Sequence, residues 1–209
     1  SISNFYISQK DMREIFYGCS SLTSINFSRE YKLVGKISKM FYDCSSLESL
    51  DLYNFDFALN EYLDYLFSGC CSLTSLDLSN IDTSLVESMS FMFFGCKSLK
   101  SLNITNLNTS KVRSMEGMFY NCSSLITLDL KGFNTSLVDD MSKLFSGCKK
   151  LVSLNLLNFN TSSVSKMESM FKECYSLTSL NLINFDTSSV TSMKYMFFSC
   201  SKLTSLNLS

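Results

Sequence analysis

Apolar and polar positions recur along this chain with a fixed period. From Leu73 onward the repeating unit reads L-x-x-L-x-L-x-N-Φ-[DN]-T-S-x-V-x-x-M-x-x-M-F-x-x-C-x-S, in which Φ is apolar. A constant period of about 20 to 50 residues predicts a solenoid. One cysteine marks each unit, with a spacing of 25 residues once and 26 residues thereafter: Cys19, Cys44, Cys70, Cys96, Cys122, Cys148, Cys174 and Cys200.

Within each unit the hydrophobic spacing changes from that of a strand to that of a helix. The segment LTSLDL (73–78) places Leu76 and Leu78 two positions apart, which is typical of a β-strand. The segment VESMSFMF (86–93) spaces its apolar residues by three and four, which indicates a helix. The sequence therefore predicts a strand, a turn, a short helix and a second turn in every unit.

Polar and small residues occupy the predicted turns. Asp82, Thr83 and Ser84 offer side-chain oxygens to the first amides of the predicted helix. Most of the residues that precede the marker cysteines are of types that tolerate the left-handed backbone conformation that closes a helix. These residues are Gly18, Asp43, Gly69, Gly95, Asn121, Gly147, Glu173 and Ser199.

One such unit cannot bury its own apolar face, so we expect the units to stack. The strands would form a parallel sheet with a spacing of about 4.8 Å, and the crossovers would be right-handed. The predicted fold is an α/β, right-handed solenoid of 26-residue strand–turn–short-helix units, about eight in number, with the sheet on one face. No linker divides residues 1–209, which we interpret as one solenoid excerpted from a longer chain.

Two early units depart from the repeat. The first contains SREYKLVGKIS (28–38) and is one residue short. The second has Asn60 in the valine column, and Leu63 and Leu66 in the two methionine columns. We expect these units to bulge or to lie near a cap.

The stretch LTSLDLSNIDTSLVESMSFMFFGC (73–96) resembles the BspA-like leucine-rich repeats, in particular the "surface protein" repeat with its M-x-x-M-F-x-x-C-x-S-L element. The resemblance covers almost the whole chain. It departs from the standard leucine-rich repeat at the ninth position, which is apolar here, whereas Asn or Cys is usual. The resemblance implies a leucine-rich-repeat solenoid of a secreted or cell-surface protein, associated with binding and adhesion and with no common enzymatic activity.

Composition limits the chemistry that this chain can perform. With 45% hydrophobic residues it can form a real core, but it has no His, the commonest general base and metal ligand. No nucleophile–base pair and no glycine-rich phosphate loop is evident, so we expect no enzyme, no catalytic residue, no metal site and no cofactor. The net charge of −1 disfavours nucleic acid as a partner. The absence of a run of about 18 apolar residues disfavours membrane insertion by this segment.

The cysteines and methionines fit the core. The marker cysteines share one inward position per unit, which is typical of a ladder of buried thiols rather than of a metal cluster. Stacking brings their Cα atoms within disulfide range, so bridging is an alternative. Cys71 lies outside the column and is the thiol that we expect to be exposed. Packing also explains the methionine columns, with a soft-metal site or an adaptable groove as alternatives.

Outward-facing strand positions form two polar columns, which we predict to be the partner-binding face for a protein or glycan ligand. The alternative is that these side chains satisfy one another and keep the sheet soluble. The first column contains Ser75, Ser101, Thr127, Ser153 and Ser179, and the second contains Asp77, Asn103, Asp129, Asn155 and Asn181.

The sequence therefore predicts a non-enzymatic binding or adhesion module, extracellular or at the cell surface. The alternative is a structural repeat of a fibre or filament, or a cytoplasmic or ciliary scaffold, in which further copies assemble end to end. Three NTS turns carry acceptor sites for N-glycosylation and would fit the secreted interpretation: Asn108, Asn134 and Asn160.

Overall fold

Short parallel strands form one wall of the molecule. The structure, a computed structural model, describes residues 11–27 and 32–208. The early departure at 28–38 therefore lies partly outside the described residues, as do both extremes of the proposed 1–209 solenoid. The strands are β1 (Ser24–Ile25), β2 (Leu33–Val34), β3 (Ser49–Leu50), β4 (Phe55–Asp56), β5 (Ser75–Asp77), β6 (Ser101–Asn103), β7 (Ser179–Asn181) and β8 (Ser205–Asn207).

Strand pairing follows the repeat. The pairs β1–β3, β2–β4, β5–β6 and β7–β8 are all parallel. Ser75 pairs with Ser101 and Asp77 with Asn103, so partners occupy equivalent positions in consecutive repeats. Leu76 between them is buried while Ser75 and Asp77 are exposed. This confirms a repeat solenoid with parallel strands, and we call each repeat a coil.

A second parallel ladder runs along the opposite wall of the coils, where the helices were expected. Bridges link equivalent positions in consecutive coils: Tyr62 to Ser88, Ser88 to Ser114, and on through Asp140 and Lys166 to Ser192. Backbone amides extend this ladder, because the N–H of Phe93 donates to the carbonyl of Met118 at 2.9 Å. We call residues 88–96 and their equivalents in other coils the turn wall.

The predicted short helix is wrong, because the described ranges contain no helix. In the turn wall, every second amide donates to the next coil. The amides between them close turns within the coil: Phe94 donates to Phe91 at 3.0 Å and Cys96 to Phe93 at 3.1 Å. Successive turns also place apolar side chains inward at intervals of three and four, which is why the pattern resembled a helix. The α/β class is therefore wrong for the described chain, which consists of strands and turns; handedness and repeat number stay predictions.

Left-handed residues make this alternation possible. All eight residues before the marker cysteines have positive φ, from 54° at Asp43 to 76° at Gly69. The residues before the marker cysteines therefore adopt the left-handed conformation that the sequence predicted, although each of them closes a turn and not a helix. A second column, four residues earlier, also has positive φ, although six of its eight members have long side chains: Glu14, Lys39, Tyr65, Phe91, Gly117, Lys143, Ser169 and Tyr195. Such conformations cost about 1–3 kcal/mol for each residue other than glycine, which the bonds between coils must offset.

The core between the two walls is built from columns of identical side chains. Phenylalanine rings stack along the axis with centroids 5.7–5.8 Å apart and planes within 13° of parallel. The methionine columns are buried as expected, except that Met193 is 47% exposed. The stacked rings are Phe16, Phe41, Phe67, Phe93, Phe119, Phe145, Phe171 and Phe197.

Asn60, the polar residue in the valine column, supplies hydrogen bonds to backbone groups of the irregular first coil. Its side chain is buried, and its Oδ1 accepts a hydrogen bond from the N–H of Ile37 at 3.0 Å. Its Nδ2 donates to the carbonyls of Gly35 and Phe57 at 3.0 and 3.2 Å. Asn60 therefore satisfies backbone groups that the regular ladder leaves unpaired next to the 28–38 departure.

We predict that Asn60→Val, which restores the consensus residue, destabilises the chain by roughly 2–5 kcal/mol, because the buried N–H of Ile37 and the buried carbonyl of Gly35 lose the side-chain partners that Asn60 supplies. Urea unfolding measures the loss. The matched control is Asn106→Val, since exposed Asn106 makes one bond, to the carbonyl of Ser79, and should cost at most about 1 kcal/mol. Equal losses in the two variants would contradict this role for Asn60.

Candidate functional site on the sheet face

The two predicted polar columns lie on the outer surface of the sheet wall. Nine of their ten side chains are exposed, and Asn103 is half-buried. In β5 and β6 the pairing register places Ser75 beside Ser101 and Asp77 beside Asn103. The structure therefore brings the predicted residues together as columns, while their binding of a ligand stays a prediction.

The Asp/Asn column has a structural task that the sequence analysis missed. Each side-chain Oδ1 accepts a hydrogen bond from the backbone N–H two residues later, which turns the chain at the end of the strand. The Asp77 bond comes from Ser79 at 2.8 Å and the Asn155 bond from Leu157 at 3.2 Å. One oxygen of each side chain is committed to the turn. The side chains of Asp77 and Asn103 are also hydrogen-bonded to each other, so members of the column satisfy one another in part.

Hydrogen bonds stabilise the charged form of Asp77 in this column. The N–H of Ser79 is the main cause of a pKa for Asp77 below its ordinary value of 3.8, and the side chains of Ser79 and Asn103 lower this pKa further. Asp77 is therefore a carboxylate at neutral pH. The Asp/Asn column thus combines the carboxyl side chains of Asp77 and Asp129 with the neutral amides of Asn103, Asn155 and Asn181.

Exposed aliphatic side chains flank the polar columns, which the sequence analysis did not emphasise. Ile126 and Val152 stand before the strand positions of two consecutive coils and are 49% and 44% exposed. Leu157 and Ile183 stand after the polar columns and are 46% and 49% exposed. The outer sheet surface from 126 to 183 thus combines polar groups with apolar contact area, a mixture typical of protein interfaces.

The predicted glycosylation sites lie at the turns that follow the sheet wall. Asn108, Asn134 and Asn160 are exposed, and the Oδ1 of Asn108 accepts from the N–H of Ser110 at 3.0 Å. The adjacent threonines are buried and tie the coils together: Thr83 Oγ1 donates to the carbonyl of Asn108 and accepts from its N–H. Modification of the asparagines stays a prediction.

The cysteine column is a hydrogen-bonded ladder of free thiols. Cys44 through Cys174 are buried, and each Sγ donates to a phenylalanine carbonyl of the preceding coil, as from Cys96 to Phe67 at 3.1 Å. Two expectations need correction. Cys71, expected to be exposed, is half-buried with its Sγ 3.5 Å from the carbonyl oxygen of Gly95, and Cys19, expected to be buried, is exposed. Burial in a column requires covering coils on both sides, which column membership alone does not guarantee.

In the described ranges, no group of three or more acidic, cysteine or histidine side chains is placed to hold a metal ion. Nor does any helix there have the length and hydropathy to cross a membrane.

These features define the class as a solenoid of stacked parallel coils. Residues 10–128 and 125–208 match the model of the family described as "Mycoplasma protein of unknown function, DUF285", and the chain belongs to this family. It is a family of BspA-type repeats, so the resemblance drawn from the sequence is confirmed at that level. The more specific "surface protein" repeat stays a prediction. Among curated proteins, none matches the chain.

Among solved structures, the chain is similar to a leucine-rich repeat protein from Eubacterium ventriosum, with 23% identity, a TM-score of 0.46 and coverage of 71% of this chain. The chain spans 36% of the length of that protein. A T. pallidum leucine-rich repeat protein is 19% identical, with a TM-score of 0.41 and coverage of 96% of this chain and 71% of that one. A leucine-rich cell surface protein from Faecalibacterium prausnitzii is 17% identical, with a TM-score of 0.39 and coverage of 94% and 76%. At these scores the likenesses support no functional assignment.

We predict that the chain loses stability steeply above about pH 9, because burial raises the pKa of the ladder thiols above the 9.0 of a free thiol, to about 12 at Cys148. The folded state keeps these protons more tightly. The stability they contribute is therefore complete below pH 9 and is lost as the pH rises toward 12. Each fully buried thiol contributes up to about 1.4 kcal/mol per pH unit.

Urea unfolding midpoints between neutral pH and pH 11 check this dependence. Cys148→Ala should lower stability at every pH, because it leaves a cavity. It should also make the loss of stability with rising pH above 9 less steep, because one buried thiol is removed. Cys19→Ala, at the exposed cysteine, should leave the slope unchanged. A flat profile for the unmodified chain would show that the thiols are not buried as described.

Proposed function

We propose that this chain is a non-enzymatic binding module of a secreted or cell-surface protein, and that its sheet face from 126 to 183 contacts the partner. The observation that carries the proposal is the combination of two polar columns with exposed aliphatic side chains on both flanks, in coils joined by a hydrogen bond of 3.1 Å from the N–H of Val152 to the carbonyl of Ile126. The partner class that suits it best is a protein surface, since buried aliphatic area supplies binding energy and polar columns supply specificity. A glycan remains the other ligand class. Adhesion would be the cellular outcome.

The residues that contact the partner would be the exposed members of the columns. Ser153 and Ser179 lie in adjacent coils between the aliphatic flanks, and neither side chain is committed to the turns that close the strands. Asn155 and Asn181 each bind a turn amide through one atom and keep the other for the partner. Preformed turns reduce the entropy lost on binding, because the columns are already ordered.

We predict that Ser153→Arg with Ser179→Arg abolishes binding, by at least about tenfold in affinity, because two long side chains block the centre of the face. The probes are a glycan array and a panel of purified extracellular-matrix proteins. The matched control is Ser110→Arg with Ser188→Arg, two exposed serines in the turns beyond the sheet wall. Binding that survives in the first variant, or no binding by the unmodified chain to either panel, would count against the proposal.

A structural repeat that assembles end to end is the second candidate. Its support is an open apolar hollow of about 450 Å³ in the last described coil, lined by Met193, Tyr195, Met196, Phe197 and Phe198. A following coil, from the same chain or from another copy, would cover this hollow with a matching column of side chains. Met193→Lys with Phe198→Lys would stop association through this end.

A further inference from the structure

The coils have two narrow edges, where the chain crosses between the sheet wall and the turn wall. One crossing is the turn from Thr83 to Val86, closed by an N–H···O bond of 3.0 Å. The other is the turn from Cys96 to Leu99, closed at 3.2 Å. Because these are the two connections between the same two walls, they lie on opposite edges of the solenoid.

The two edges differ in the sign of most of their charges. The edge after the marker cysteines, the basic edge, bears one exposed carboxylate, Glu48, and five exposed lysines: Lys97, Lys100, Lys149, Lys150 and Lys202. The edge around the threonine turns and their equivalents, the acidic edge, bears the cations Lys111 and Arg113 and five exposed carboxylates: Glu61, Asp82, Glu87, Asp139 and Asp186. The net charge of −1 conceals this segregation.

Most of these charges are available to a partner. Among the described residues, none of the five lysines and none of the five carboxylates of the acidic edge forms an ion pair within the chain. Lys149 places its Nζ 5.7 Å from the centroid of the Tyr175 ring. Hydrogen bonds from Ser84 and Ser188 lower the pKa values of Asp82 and Asp186 below 3.8. Both carboxylates are therefore ionised at neutral pH and are held in fixed turns.

The spacing of the charges matches between the edges. The lysines recur in every second coil: Lys149 stands two repeats after Lys97, and Lys202 two repeats after Lys150. From Glu87 onward the carboxylates recur with the same double period, because Asp139 stands two repeats after Glu87. Glu61 stands one repeat before Glu87, at the level of the uncharged Ser72 and Thr74. Two coils correspond to roughly 10 Å along the axis. This exceeds the Debye length of about 8 Å at physiological salt, so each coil pairs with its own opposite coil.

We propose that the basic edge docks on the acidic edge of a second copy of this chain, with the two solenoid axes parallel. One axial offset brings Lys97 and Lys100 to Glu87, and the same offset brings the Lys149 coil to Asp139. It also brings Lys202 to the Asp186 coil.

The same offset places the two cations of the acidic edge opposite uncharged residues. Lys111 and Arg113 lie in the coil between Glu87 and Asp139 and meet Ser123 and Ser124, which carry no charge. Displacement by one further coil would place Lys97 against Arg113 instead, which is repulsive. The charge pattern therefore specifies the register of the contact.

The contact uses different surfaces on the two copies, so it does not close and would generate a row of parallel solenoids. Such a row leaves every sheet face exposed on one side. It differs from end-to-end growth, which would bury apolar side chains and would be insensitive to salt. A polyanion could use the lysines but would leave the matched carboxylates without a role.

Sedimentation velocity of the 209-residue chain tests the proposal at about 0.01 M and about 1 M salt, where the Debye lengths are about 30 and about 3 Å. At low salt the weight-average mass should rise with concentration to roughly twice the 23.7 kDa of one chain or more. At high salt it should return to 23.7 kDa.

Charge reversal tests the register. Lys149→Glu with Lys150→Glu should remain monomeric alone, and so should Asp139→Lys. One chain that carries all three substitutions should associate again, because the reversed charges of the two edges face each other only in this register. The control, Lys131→Glu with Lys194→Glu, changes the net charge equally away from both edges and should associate like the unmodified chain.

Three results would overturn the proposal. One is an unmodified chain that stays monomeric at low salt. Another is association that both reversed variants retain, which would point to the solenoid ends. The third is a monomeric chain whose lysines bind polyphosphate, with binding lost in the Lys149→Glu and Lys150→Glu variant, which would assign the basic edge to a polyanion.

Discussion

Alternation of backbone amides between two kinds of partner is the constraint on which this structure depends. In the turn wall, one amide donates to the next coil and the following amide closes a turn within its own coil. Both walls are therefore bonded along the solenoid axis, and no wall is a self-contained helix. Each coil must repeat the conformation of its neighbour, because a slipped residue would leave amides of both coils unpaired.

The side-chain columns follow from that constraint. Equivalent residues stand one above another, so a residue that packs well in one coil packs well in all of them. The phenylalanine stack and the thiol ladder are two results, and in the ladder each cysteine caps a carbonyl of the previous coil. Where the first coil is irregular, the column changes to Asn60, whose three hydrogen bonds replace those that the repeat would supply.

Much of this arrangement was predictable from the sequence, and the errors share one cause. Period and burial follow from which side chains are apolar, so the parallel strands, the methionine columns and the exposed Ser and Asp/Asn columns were predicted correctly. The helix was not, because an inward spacing of three and four is produced both by a helix and by successive turns. A helix and a series of turns differ in whether a backbone amide donates to the carbonyl four residues earlier or to a carbonyl in the next coil. The pattern of apolar side chains is the same in both cases. The turn role of Asp77 and the exposure of Cys19 likewise depend on neighbours that the repeat does not specify.

Nuclear Overhauser effects in the turn wall test the alternation of amide partners most directly. The account predicts contacts between backbone protons of equivalent residues in consecutive coils, such as those of Phe93 and Phe119. It also predicts coupling constants that correspond to positive φ at Phe91 and Asn121. It also predicts that helical contacts between residues three and four apart do not run through 86–93. An unbroken helical series across 86–93, without contacts between coils, would contradict the account.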